Sequence, residues 1–258
     1  MPNPCTMCPP NSRSELIERS AAQNLLDYVQ AFQRVAPAIR ATSISVAGGV
    51  AAYTGPGSPL TTVKGIGPSI RERDLDEIER FFGKHEYTIE AAPWLDEKSL
   101  RLLADRGYKP SATEHVVIRE WQELTLEPHS QVGVLAPSPW SGLMRRGFEL
   151  PDESPWRELT SAAAHREGAT NLALPGPNGN WFACAQLAPC AGLWILGCDA
   201  TLPEHRGQGA QTALIHQRLH IIPRAGLAVA EVAPGSASER NYLRCGFKLA
   251  HARTHFRR

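Results

Sequence analysis

Leu202, Pro203, Glu204, His205, Arg206, Gly207, Gln208, Gly209 and Ala210 form the segment best suited to chemistry. Before it, Leu193 to Thr201 has the look of a strand. After it, Ala213, Leu214, Leu219 and Ile222 recur at helical spacing until Pro223 ends the run. A glycine-bearing loop between a strand and a helix start presents several unpaired backbone N–H groups to one point. The helix dipole adds about 0.3–1 kcal/mol per anionic contact. Gly207 and Gly209 let the backbone approach a ligand closely, and Arg206 adds a charge-assisted contact. The ligand such a loop suits is a phosphate or pyrophosphate. Two glycines at a chain reversal also suit a plain turn. Neither a Gly-Lys-Ser/Thr P-loop nor a GxGxxG dinucleotide fingerprint is present.

The elements that must position this loop follow from periodicity and turn chemistry. Residues 14–35 predict a helix, 42–53 and 60–66 strands, and 74–84 a helix capped by Asp74. A strand (87–92), a helix (96–106) and a strand ending near Trp121 follow. The polar stretch 122–131 reads as a linker. Beyond it come a short strand (132–136), helical segments near 139–146 and 154–167, and strands near 170–174, 181–188 and 192–201. A helix (209–222), a strand (227–233), a helix (236–245) and a strand (247–256) close the chain.

The two halves end alike. Glu90, Pro93, Gly107, Tyr108 and Lys109 recur in order as Glu231, Pro234, Gly246, Phe247 and Lys248. Each set spans a strand, a turn, a helix, a glycine, an aromatic and a strand, which indicates an internal duplication. The glycines take the left-handed position past each helix, and the aromatics tuck under the sheet.

Arg206-Gly-Gln-Gly209-Ala-Gln211, followed some 30 residues later by Tyr242, Gly246 and Phe247 after a strand, resembles the GNAT acetyltransferase superfamily. The resemblance covers about residues 131–258. Gln211 departs from the pattern, which has Gly or Ala there. The N-terminal half is similar through its terminal unit only. Its 63–69 loop has glycines but no arginine in register, and Pro68 removes an N–H donor. The resemblance implies an α/β protein of two GNAT-like domains, each a mixed, mostly antiparallel twisted sheet flanked by helices. A splayed parallel strand pair, 193–201 and 227–233, belongs to the C-terminal one. The expected boundaries are 1–121 (degenerate, not binding CoA), 122–131 (linker) and 132–258.

The resemblance also implies acetyl-CoA as co-substrate and direct transfer to an amine acceptor. Ala200, Thr201 and Leu202 would meet the pantetheine arm. Arg206, Gly207, Gln208, Gly209, Ala210, Gln211 and Thr212 would hold the pyrophosphate, with Ser238 and Asn241 beside the arm. Tyr242 falls on the general-acid position. Glu231 and Asp199 are candidate bases, because a carboxylate in a narrow strand cleft has a raised pKa; water is the alternative. A GNAT fold that holds acyl-CoA without turnover, as a sensor, is the second reading.

Composition restricts the rest. With 258 residues, 42% hydrophobic, the chain can bury a core, and a net charge of +1 gives no field for nucleic acid or an anionic membrane. Six scattered cysteines, no signal-peptide pattern and no long apolar run predict a cytoplasmic protein with reduced thiols, monomeric or homodimeric. Cys5 and Cys8 have metal-ligand spacing but no second pair, so no metal is expected.

Overall fold

The computed structural model describes residues 12–121, 131–176 and 178–258. The Cys5 and Cys8 pair lies outside the described residues, as does the expected linker apart from residue 131. The first helix, α1 (Ser12–Val35), buries Ile17, Leu25, Val29 and Phe32, the face that helical spacing predicts. Residues 42–53 make two strands, β1 (Thr42–Val46) and β2 (Gly49–Tyr53), because Ala47 and Gly48 both take positive φ and reverse the chain. Next come β3 (Thr62–Lys64), α2 (Glu72–Phe82), β4 (Thr88–Ala91), α3 (Glu97–Asp105) and β5 (Lys109–Glu120). Arg71, rather than Asp74, is the N-cap of α2. Asp74 sits one turn in, where its carboxylate accepts the Arg71 N–H at 3.0 Å and closes a capping box.

The second half holds β6 (Gly133–Val134), α4 (Pro137–Gly147), α5 (Trp156–Ala164), β7 (Thr170–Pro175), β8 (Trp181–Cys190) and β9 (Leu193–Thr201). It ends with α6 (Ala210–Ile221), β10 (Leu227–Val232), α7 (Ala237–Arg244) and β11 (Lys248–Arg257). No helix among the described residues is long and apolar enough to cross a membrane.

The two expected sheets are continuous with one another. One eleven-stranded sheet runs β1-β2-β3-β4-β11-β5-β10-β9-β8-β7-β6. The last strand of each half has changed places: β11 pairs with β4, and β5 pairs with β10. Two strand pairs are parallel, and each is short. The β3–β4 ladder holds Thr62 to Thr88 and Val63 to Ile89; the β9–β10 ladder holds Ala228 to Trp194 and Val229 to Ile195. Beyond those positions the partners separate, so a splayed pair occurs in each half.

The closing units of the two halves match in detail. Gly107 and Gly246 take φ of 86° and 85° past α3 and α7. The next N–H then reaches back across the last turn: Tyr108 donates to the Leu103 carbonyl at 2.9 Å, Phe247 to the Tyr242 carbonyl at 3.1 Å. Both aromatic side chains are buried under the sheet.

Candidate active site

The loop after β9 is open toward an anion. A short 3-10 turn, Pro203–His205, leads to Gly207 and Gly209, with φ of 77° and 81°. A Cβ added at either glycine would meet nothing within 4 Å, so the space in front of the backbone is clear. Gly209 is the N-cap of α6. No side chain caps this helix and its first turn has no acidic residue, so its leading N–H groups and the positive end of its dipole are available. The matching helix of the first half, α2, is closed by its capping box and carries Glu72 and Asp74 in its first turn. The loop before α2 is also covered: a Cβ at Gly65 would lie 2.6 Å from the Glu18 carbonyl oxygen of α1.

Several predicted contact residues are already tied to one another. Arg206 donates to the Gly147 carbonyl at 2.8 Å and pairs with Glu149 at 2.7 Å, which fixes the loop against the end of α4. Gln211 donates to Ser238 Oγ at 2.8 Å and accepts from Asn241 Nδ2 at 2.7 Å. The residue that departs from the GNAT pattern thus turns its side chain to α7 and leaves its backbone in the helix start. Leu202 donates its N–H to Phe182 at 2.8 Å, so that group belongs to the β8 side.

Beside this loop β9 bulges. Cys184 pairs with Ala200 but Gln186 with Gly197, so Cys198 and Asp199 together oppose Ala185, and Cys198 takes φ of 56°. The bulge is braced from two helices. Tyr242 of α7 is buried and donates its hydroxyl proton to Asp199 Oδ2 at 2.6 Å; Arg218 of α6, fully buried, pairs with the other oxygen. Burial holds the Tyr242 phenol well above its ordinary pKa. Asp199 is therefore saturated by a cation and a hydroxyl.

A second cluster lies where the two halves meet. Lys64 of β3 pairs with Glu231 of β10 at 2.8 Å and with Glu90 of β4 at 3.0 Å. Arg253 of β11, 1% exposed, pairs with Glu18 at 2.9 Å, Glu114 at 3.2 Å and Glu231. The raised pKa expected for Glu231 is corrected here. Burial acts to raise it, but Lys64 and Arg253 outweigh that and hold the carboxyl well below its usual range. The raised group is Glu114 of β5: burial first, and then the charge of Glu231, push it up to about 7. One oxygen each of Glu90 and Glu114 and a ring nitrogen of His255 lie within 4.8 Å of one another, a spacing a cation can bridge, but the Lys64 ammonium already supplies charge there.

The second cluster meets a cleft of about 230 Å³ at the mouth of the β9–β10 splay, lined by Gly197 and Cys198 on β9, Glu231, Glu114, Lys64 and Arg166, and the braced bulge borders it through Cys198. Asp199 and Tyr242 touch each other, and Glu231 faces the cleft from the neighbouring strand. Glu114, Lys64, Arg166 and Arg218 escaped the sequence reading. The repeat held a signal for Glu114, because its counterpart in the second half is Arg253, and a carboxylate exchanged for a guanidinium across a duplication marks a pair that meets.

The chain has the fold of the GCN5-related N-acetyltransferases. It is similar to a GCN5-related N-acetyltransferase from Kribbella flavida at 16% identity, covering 92% of this chain and 95% of that one, with a TM-score of 0.64. A tandem GNAT protein from the clavulanic acid biosynthesis pathway is similar at 14% identity over 97% and 96% of the two chains, TM-score 0.59. A GCN5-related N-acetyltransferase from Sphaerobacter thermophilus is similar at 15% identity over 72% and 63%, TM-score 0.52. No protein-family profile and no curated protein sequence matches the chain.

Proposed function

We propose that the chain is an N-acetyltransferase that moves an acetyl group from acetyl-CoA directly to a primary amine. Its coenzyme site belongs to residues 132–258. Residues 1–121 are a degenerate copy that walls the acceptor side, and 122–131 join the two. The observation that carries this reading is the contrast between two equivalent helix starts: α6 is uncapped and free of acid, whereas α2 is capped and acidic. A pyrophosphate is favoured at the first and repelled at the second.

In this reading Gly207 to Thr212 grip the pyrophosphate and the edge of β9 beyond Ile195, freed from β10, takes the pantetheine arm. Acetyl-CoA supplies an activated carbonyl: the N–C bond forms as the C–S bond breaks, and of the two protons an ammonium acceptor gives up, one goes to Glu114 and one to the sulfur. Glu114 suits the base role because a carboxyl titrating near 7 is half-ionised at neutral pH and accepts a proton readily. Glu231, kept ionised by Lys64 and Arg253, attracts the ammonium group and holds Glu114 up. Tyr242, its proton committed to Asp199, is a positioning residue that fixes the bulge.

Thiol release from acetyl-CoA, followed across a panel of amines with mass detection of the N-acetyl product, tests the reading. Amine-dependent release is the expected result. Binding of acetyl-CoA with no release for any amine would leave a sensor.

A further inference from the structure

Arg166, just past the end of α5, is out of place for a structural residue. Its side chain is 4% exposed, and among the described residues the only carboxylate within 4 Å is Asp27, at 3.9 Å. One terminal nitrogen donates to Gln186 Oε1 at 3.0 Å, the other to Asn24 Oδ1, and the guanidinium lies 4.5 Å from the centre of the Tyr28 ring. Its Nε is buried with no hydrogen-bond partner. A guanidinium this enclosed, with a spare donor and only a distant counter-ion, lacks the compensation that buried charge requires. It lines the same cleft as Glu114 and Glu231 yet lies within 4 Å of neither.

On the other side Glu114 and Glu231 line the cleft, with Glu18 and Glu90 behind them; these four carboxylates share two permanent cations, Lys64 and Arg253, with His251 on Glu18 and His255 beside Glu90 and Glu114. That side has an excess of negative charge and draws a cation, while the Arg166 side draws an anion. The volume, about 230 Å³, is below the 300 Å³ or so at which drug-sized pockets begin.

On the acyl-transfer reading above, we infer that the acceptor is a small amine that carries its own carboxylate, the ammonium facing Glu114 and Glu231 and the carboxylate meeting Arg166. A planar guanidinium takes a carboxylate through charge-assisted donors, and a site built around such a contact rejects an analogue that lacks it.

The test compares the full chain with acetyl-CoA on glycine and β-alanine against ethylamine and propylamine, with putrescine and a lysine-containing peptide alongside. The amino acids should exceed the plain amines in kcat/KM by about tenfold or more, and Arg166→Met should shrink that ratio to about threefold or less, with Arg166→Lys between. Equal or better turnover of plain amines, diamine or peptide overturns the inference, as does a ratio that Arg166→Met leaves unchanged. The ratio in the native chain decides by itself if the variants fail to fold. Turnover of no amino acid also overturns it, and heat from acetyl-CoA titrated into the same sample then shows that the coenzyme reading stands without it.

Discussion

Glu114 stands opposite Arg253 in the β5–β11 ladder, 3.2 Å from its guanidinium, and the two occupy the same place in the two repeats. Each lies seven residues past the glycine that ends its helix, Gly107 or Gly246. The approximate two-fold relation between the halves therefore passes between them. Glu90 and Glu231, each three residues before a proline, are matched in the same way, and both reach Lys64. Exchange of the last strands brings these charges to one point.

Glu114→Gln should lower kcat/KM by about 100-fold, the lower range for loss of a general base. In the native chain kcat/KM should rise with pH through about 7, as the carboxyl loses its proton, and the variant should lack that inflection. Stability carries the opposite sign. The folded pKa, about 7, exceeds the ordinary 4.5, so the folded state holds the proton more tightly. That contribution is complete below 4.5 and is lost as pH rises to about 7. Melting curves at pH 5 and pH 8 should accordingly show Glu114→Gln gaining on the native chain at the higher pH.

Lys64→Met removes the ammonium that Glu90 and Glu231 share. Leaving buried Glu90 and half-buried Glu231 without it should cost about 3 kcal/mol in urea unfolding. Adding Glu231→Gln to the same chain should restore more than half of the loss, because the two residues form one interacting pair. Simple additivity of the two substitutions would mean that the contact carries no coupling.

Tyr242→Phe should destabilise the chain by about 2 kcal/mol through loss of a hydrogen bond to a carboxylate. Turnover should fall about tenfold, a modest effect for a group outside the proton transfer. CoA affinity and the inflection near pH 7 should persist. A thousandfold loss of turnover with stability intact would return the phenol to the proton-donor role.

Separate expression of residues 1–121 and 131–258 should give no folded half, since β4 then lacks β11 and β10 lacks β5. Co-expression of the two should recover the native circular dichroism. Cooperative unfolding of either half alone would contradict the exchanged sheet.

Local features were legible in the sequence and distant ones were not. The loop at Arg206 to Gly209, the strands that splay and the glycine closures at Gly107 and Gly246 all depend on neighbours within a few residues. Glu231 was misread because burial alone predicts a raised pKa, whereas Lys64 reaches it from 167 positions away. Arg166 and Arg218 have polar partners 142 and 19 positions distant, contacts that no periodicity encodes. The strand exchange was hidden by the duplication itself, since β5 and β11 follow the same local pattern and no residue near either one marks which half it closes.

The central claim is that the uncapped start of α6 holds a diphosphate. Calorimetric titration of acetyl-CoA tests it most directly with three chains: native, Gly209→Asp and Gly209→Asn. Both substitutions meet the same positive φ, 81°, which Asn and Asp tolerate better than most residues, but only Asp places a negative charge where phosphate sits. The account predicts saturable binding by the native chain, weaker binding by Gly209→Asn and none by Gly209→Asp, with all three folded. Equal affinity in the three chains, or no heat from the native one, would contradict it.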